Sequence, residues 1–218
     1  IDFHGFSVTI PHKESVLPFL DDLDHNARKI GAINTIVNRN GELTGYNTDC
    51  MAAVMGLEYS MKEANETLNY KKVSIIGAGG AARAIAFGLK EKGCDITIFN
   101  RTTERAEKLS HDVQCRFKSF EEIHKLTSDI LINTTPIGMF PNIDQTPIPK
   151  KILKEGMVVF DAVYNPTETK LLREANENGC HTVNGLSMFI NQAAEQFRLW
   201  TNIDPPIELM TKVVKEML

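Results

Sequence analysis

No run of apolar residues in this chain approaches the roughly 20 needed to span a bilayer. A basic start followed by an apolar stretch is also missing. Ile1–Ile10 holds Asp2, His4 and Ser7, so no secretory signal is read there. Cysteine is scarce: Cys50, Cys94, Cys115 and Cys180 lie far apart without a CxxC pair. That disfavours a zinc site or a thioredoxin-like motif, so no metal is expected, and reduced thiols in a cytoplasmic protein are the simpler reading. Positive charge is short as well. Lys and Arg number 24 against 28 Asp and Glu, the net charge is −4 and the pI about 5.9. A general nucleic-acid binder would show a basic stripe instead. Internal repeats and low-complexity segments are absent. What remains is an ordinary globular mixture, 42% apolar and 24% charged, over 218 residues, enough for one or two domains with a real core.

The chain changes rhythm near residue 70. Before it, Phe6–Ile10 reads as a short strand stopped by Pro11. A domain starting at that strand would lack its partner, so further upstream sequence is expected. His12–Leu20 and Asp24–Ile30 read as short helices. Ile33–Asn38 and Leu43–Tyr46 flank Asn40-Gly41, a strong hairpin signal. A helix is expected from Thr48 to about Met61, then a polar linker over Lys62–Asn69. Beyond it, strands at Lys72–Ile76, Asp95–Asn100, Ile130–Asn133, Met157–Ala162 and His181–Asn184 alternate with helices at Ala81–Lys92, Thr103–Asp112 and Thr167–Asn178. Such alternation predicts a parallel α/β sheet. Two helices, Ser187–Trp200 and Pro206–Met217, close the chain.

Gly77-Ala78-Gly79-Gly80-Ala81-Ala82 fits G-x-G-x-x-[G/A] between a predicted strand and a predicted helix. Gly77 permits the tight turn, Gly79 lets the backbone approach a pyrophosphate, and Ala82 keeps helix and sheet close. The helix start offers free N–H groups to the phosphates. The alternative is a tight turn without a ligand. The second strand ends in Asn100-Arg101-Thr102, with Arg105 one helical turn on and no acid for the ribose hydroxyls. Arginines at a helix start oppose its dipole and want an anion, so a 2′-phosphate and hence NADP(H) is expected over NAD.

Two polar groups stand out earlier, Lys13 and Asp49. Held together, a lysine can protonate a carbonyl oxygen as hydride arrives, and an aspartate can position it. A surface lysine and an N-capping aspartate would look the same in sequence.

The motifs occur in a telling order. Gly5–Glu14, Gly31–Thr35 and Gly45–Asp49 are followed by Gly77–Ala82, Asn100–Thr102, Asn133–Met139 and Asp161–Pro166, then by Gly185–Phe189 and Gln192–Ala194. From Gly5 to about Trp200 the chain resembles the shikimate dehydrogenases. The resemblance implies NADPH-dependent reduction of 3-dehydroshikimate to shikimate in aromatic amino-acid biosynthesis, with Lys13 catalytic and Asp49 its partner. It further implies that Asn34 and Gln192 hydrogen-bond the substrate's ring hydroxyls, with Thr9 near them, and that Tyr164 lies near the substrate. Gly77, Ala78, Gly79, Gly80, Ala81, Asn100, Arg101, Thr102, Arg105 and Thr134 would contact the cofactor, with Gly185 and Met188 near the nicotinamide. On periodicity alone Met188 is a core residue. Family members carry about fifty further residues upstream, including a Ser-x-Ser-type segment for the substrate carboxylate, a size typical of part of a domain. A fused aromatic-pathway domain upstream and a homodimer are both compatible with the resemblance.

The expected architecture is therefore α/β. A substrate domain over 1–68, rejoined by helices over 187–218, would face a Rossmann-type NADP-binding domain over 69–186 across a cleft. The rivals are a quinate/shikimate dehydrogenase using NAD, and a non-catalytic module that kept the fold.

Overall fold

The computed structural model describes residues 3–63 and 66–217. Residues 64 and 65 of the expected linker lie outside them. Two sheets organise the chain. The smaller comprises β1 (Gly5–Ser7), β2 (Asp22–Leu23), β3 (Thr35–Arg39) and β4 (Glu42–Tyr46), in the order β1-β3-β4-β2. Strands β3 and β4 form the expected hairpin. Asn40 and Gly41 both take positive φ, 56° and 94°, as the tight two-residue turn demands. The first strand does have a partner within the chain: β1 pairs antiparallel with β3, Phe6 opposite Ile36. It is shorter than Phe6–Ile10. The predicted helix over His12–Leu20 does not form either. Only a 3-10 turn at Leu17–Phe19 appears, because Pro18 starts a new turn and supplies no N–H to continue an earlier one. Helix α1 (His25–Ile30) begins where Asp24 accepts from the backbone N–H of Asn26 and Ala27, a side-chain N-cap.

The larger sheet holds β5 (Lys72–Ile76), β6 (Asp95–Asn100), β7 (Arg116–Ser119), β8 (Ile130–Asn133), β9 (Val158–Asp161) and β10 (His181–Val183). All six run parallel in the order β10-β9-β8-β5-β6-β7. The order reverses between β5 and β8, and in such sheets a crevice opens there beyond the strands' carboxyl ends. Strand β7 was not foreseen: Arg116–Ser119 carries two cations in four residues and lacks the apolar run of its neighbours.

Around the sheets lie α2 (Asp49–Glu63), α3 (Gly80–Glu91), α4 (Thr103–Val113), α5 (Lys170–Glu177), α6 (Gly185–Thr201) and α7 (Ile207–Met217). The main core joins α2 residues Ala53 and Leu57 with Ile75, Ile85, Leu89, Ile98 and Ile132. The two sheets are tied together in two places. Helix α6 starts with Gly185 against the Ala162 carbonyl and ends with Trp200 Nε1 donating to the Ile36 carbonyl at 2.9 Å. Gly5 leaves the room that the Trp200 ring occupies. On α3, Arg83 reaches back to the Ile30 carbonyl at the end of α1 and pairs with Asp112 of α4 at 2.7 Å. None of the described helices is long and apolar enough to cross a membrane. All four cysteines are free, and burial pushes the thiols of Cys50, Cys94 and Cys115 up to about 11.

Helices α2 and α3 pack tightly at Gly88. A Cβ there would lie 2.7 Å from Val54 Cγ2 and 2.9 Å from Cys50 Sγ. Gly88→Ala gains up to ~1 kcal/mol of helix propensity, but overpacking a filled core costs about 1–3 kcal/mol. The second effect is expected to win, lowering the urea midpoint by the equivalent of about 1 kcal/mol; a raised midpoint would contradict the packing described.

Candidate active site

Lys13 follows β1 in a run of turns, where Val16 N donates to the His12 carbonyl, and Asp49 opens α2, where an acid suits the helix dipole. Their side chains meet: Lys13 Nζ donates to Asp49 Oδ2 at 2.5 Å, with 14% and 6% of the side chains exposed. An ion pair this buried survives only if its remaining polar atoms are satisfied. Asn34 supplies that on the aspartate side, its Nδ2 donating to Asp49 Oδ1 at 3.0 Å. The same amide contacts Thr48 Oγ1 at 2.8 Å and Gln192 Oε1 at 3.2 Å, while Asn34 Oδ1 accepts from Thr48 N and Thr35 Oγ1. Asn34 is 1% exposed, so its amide is committed inside the protein, where it holds Asp49 and Gln192 in place. Four elements distant in sequence converge here.

Gln196 was not foreseen. One turn beyond Gln192 on α6 and 4% exposed, it donates from Nε2 to the Asn34 carbonyl at 3.1 Å and to Ser7 Oγ at 3.3 Å. An amide at i+4 from another amide, on a face otherwise apolar, was the available signal. Thr9 is exposed, and its carbonyl accepts from His12 N in a turn.

The glycine loop lies directly against this group. A Cβ on Gly80 would come within 3.1 Å of Lys13 Cδ, so the lysine stem rests on the start of α3. Gly77 has φ +111°, which favours glycine, and a side chain there would strike Thr134 Oγ1. Thr134 in turn donates to the Ile76 carbonyl at 2.7 Å. Gly79 caps α3 in extended backbone and faces open space. No side chain caps that N-terminus, so its N–H groups are free for phosphate oxygens. Arg101 and Arg105 are exposed, and no described carboxylate lies within ion-pair distance of either. Asn100 Nδ2 donates to the Thr102 carbonyl at 2.8 Å, shaping the turn after β6. Gly loop, free helix start and unpaired arginines fit a phosphorylated dinucleotide. Ala78 packs partly against the main core, and Ala81 is half-buried in the first turn of α3.

The loops after β8 and β9 and the start of α6 carry the remaining expected residues. Tyr164, 37% exposed, stacks on Phe189 with ring centroids 4.3 Å apart. Gly185 is buried at the start of α6, and Met188 is 7% exposed within the main core. Beneath them lies Asp161, fully buried. Its Oδ1 accepts from Asn133 Nδ2 at 2.9 Å and Val163 N at 3.1 Å, and its Oδ2 from Thr169 Oγ1 at 2.7 Å. Asn133 Oδ1 passes the connection on to Thr135 N and Oγ1. Burial pushes the Asp161 carboxyl up to about 6, against the lowering effect of these three donors.

Three family models match the chain in sequence order: Shikimate dehydrogenase substrate binding domain over residues 1–36, Shikimate / quinate 5-dehydrogenase over 60–177, and Shikimate 5'-dehydrogenase C-terminal domain over 185–215. A shikimate dehydrogenase (NADP(+)) of Methanocaldococcus jannaschii is 46% identical over 220 residues, covering 96% of this chain and 76% of its own. The bifunctional 3-dehydroquinate dehydratase/shikimate dehydrogenase of Arabidopsis thaliana chloroplasts is 44% identical over 99% of this chain, which spans 38% of that larger protein. A crystal structure of a shikimate dehydrogenase with NADP+ superposes with a TM-score of 0.90 at 42% identity, covering 99% of this chain and 77% of that one.

The buried Asp161 gives a measurable signature. Its native carboxyl binds protons more tightly than the unfolded one, so its contribution to stability is full below about pH 4 and is lost as pH rises through about 6. Asp161→Asn keeps an acceptor for Asn133 and Val163 and offers its amide to the Thr169 hydroxyl. Urea unfolding at pH 4.5 and 7 is expected to show wild type losing on the order of 2 kcal/mol relative to this variant. Parallel pH dependences would rule the assignment out. Three family models matched in sequence order and relatives above 40% identity, together with a glycine loop pressed against a buried lysine–aspartate pair, establish that this chain belongs to the shikimate dehydrogenase family of NADP-dependent oxidoreductases.

Proposed function

We propose that this chain catalyses the reversible NADPH-dependent reduction of 3-dehydroshikimate to shikimate in aromatic amino-acid biosynthesis, in a cleft between a substrate domain (1–68 with 187–218) and an NADP-binding domain (69–186). The observation that carries the reading is the Lys13–Asp49 pair lying against Gly80 of the cofactor loop. When bound, NADPH supplies the hydride. The Gly77–Ala81 loop and the start of α3 hold its pyrophosphate, and Arg101, Thr102 and Arg105 hold its 2′-phosphate.

The chain's own groups do the rest. Lys13 Nζ gives a proton to the carbonyl oxygen as charge develops there, and Asp49 keeps the ammonium aimed and accepts from the neighbouring substrate hydroxyl. Gln192 and Thr9 meet ring hydroxyls, which both donate and accept and so suit amide and hydroxyl partners. Asn34 serves the same purpose through Asp49 and Gln192, which it holds. Tyr164 closes the substrate wall, and Asn100 and Thr134 shape the cofactor wall with Gly185 and Met188. A cytoplasmic location belongs to the same proposal, supported by the four free thiols. The family model spans both shikimate and quinate enzymes, so the two substrates deserve direct comparison.

Lys13→Ala is expected to lower kcat about 10²–10⁴-fold while leaving NADPH affinity intact. Unchanged turnover would remove Lys13 from the chemistry, and a complete absence of shikimate-dependent NADP+ reduction in the wild-type protein would favour a non-catalytic module. Arg101→Ala removes a charge-assisted contact worth about 1.5–3 kcal/mol, so KM for NADPH should rise at least tenfold. KM for NADH should not change; an equal rise for both would place Arg101 away from the 2′-phosphate.

A further inference from the structure

One face of the large sheet carries a second feature. Parallel sheets are ordinarily covered on both faces. Here the connection from β7 to β8 is only a 3-10 segment, Phe120–Lys125, followed by a short loop. A cavity of about 370 Å3 is left over one face of β5, β6 and β7, from Lys72 and Asp95 to Phe99, and its lining shares no residue with Gly77–Ala81 or Asn100–Arg105. Its floor is polar where the adjoining strand positions are apolar. Strand register lines up Ser74, Thr97 and Arg116 in one row, and Phe99 with Lys118 in the next.

Four cations line this cavity, Lys72, Arg116, Lys118 and Lys125, against one carboxylate, Asp95. Arg116 engages Asp95 through Nη2 alone, at 2.6 Å to both oxygens. Lys125 meets Glu122 at 3.2 Å. Among the described residues, no carboxylate lies within ion-pair distance of Lys72 or Lys118, although the whole chain carries a net charge of −4. Asp129, the nearby acid, accepts from the Lys72 backbone N–H at 2.8 Å. Lys118 is half-buried, so it is not a freely solvated surface charge. Ser128 Oγ, on the same lining, is buried without a hydrogen-bond partner, an uncommon state for a buried hydroxyl. Two unpaired ammonium groups, a guanidinium with Nη1 to spare and an unpartnered hydroxyl surround one space.

We infer that this cavity is a binding site for a small phosphate monoester, separate from the cofactor cleft. A phosphoryl group presents three acceptor oxygens and up to two charges, which matches a guanidinium, two ammonium groups and a hydroxyl better than a carboxylate does. Phe99 and Leu126, both buried, offer an apolar wall to the carbon part. The volume falls within the ~300–1,000 Å3 range of small-molecule sites.

The test uses the full chain saturated with NADP+, so that a second phosphate site is observed by itself. Glycerol 3-phosphate and inorganic phosphate are titrated at constant low ionic strength, and backbone amide shifts are followed by NMR. Saturable shifts at Thr97, Lys118 and Ser128 are expected, with glycerol 3-phosphate tighter than inorganic phosphate. Lys118→Glu should weaken binding at least tenfold, while Lys150→Glu, at a cation paired with Glu177 elsewhere, should leave it unchanged. If Lys118→Glu loses its folded spectrum, Lys72→Gln at an exposed position is read instead, with weakening of at least threefold expected. Non-saturable shifts, equal weakening in Lys150→Glu, or equal response to chloride and to phosphate would mean an adventitious ion only and overturn the site. Equal affinity for inorganic phosphate and the ester would overturn its assignment to a monoester.

Discussion

A buried ammonium–carboxylate pair is costly unless every remaining polar atom around it is answered, and the Lys13–Asp49 pair imposes that demand on half the fold. Asp49 has a second oxygen to satisfy, and Asn34 satisfies it. Asn34 must then be fixed, which the hairpin does: Asn34 N donates to the Tyr46 carbonyl at 3.0 Å, next to the Thr35–Tyr46 pair. Its carbonyl is held by Gln196 of α6. A loop, a hairpin and two helices are therefore positioned by one ion pair's need for partners. Removing any one of them leaves a charge or an amide buried without compensation, at about 1–3 kcal/mol for each neutral group and more for the ions.

The same pair explains why the two sheets must sit close. Lys13 rests on Gly80, and any side chain larger than hydrogen at that position would press on the lysine stem. The glycine loop thus meets two needs at once. Gly77 makes the turn at φ +111° and Gly79 leaves open space beside it, and Gly80 admits the lysine stem. Arg83, three residues on, links α3 to α1 and α4 and fixes the same approach from the outer side.

Sequence showed the parts of this arrangement that are encoded locally. The Asn-Gly hairpin, the glycine loop and the strand–helix alternation each rest on a short pattern with a physical reason, and each is present. The failures are equally physical. Strand β7 owes its place to β6, since Arg116–Ser119 has too little apolar character to announce a strand alone. The helix expected over His12–Leu20 yields to Pro18 and to Lys13, whose backbone carbonyl is taken by Ile33 N and whose side chain is drawn to Asp49. Asp161 and Gln196 have partners 28 and 162 positions away, Asn133 and Asn34, and no local pattern encodes such a distance. The order of motifs did reveal the family, because it records the folded site rather than the local chain.

Asp161 and Asp49 show two ways of burying a carboxylate in one fold. Asp49 is balanced by a cation, the Lys13 ammonium at 2.5 Å. Asp161 is balanced only by neutral donors, and burial outweighs them enough to push its carboxyl up to about 6. Neutral donors alone are a poor reason to keep an acid in a core, since an amide of similar shape could accept two of them. The third donor decides the matter. Thr169 caps α5 by accepting from Leu172 N at 3.3 Å, and donating its proton to Asp161 leaves its lone pairs free for that cap. An amide at position 161 would instead take up the threonine oxygen and compete with the cap. A carboxylate lets three segments and a helix terminus agree on one geometry, and its raised affinity for protons is the thermodynamic cost of that agreement.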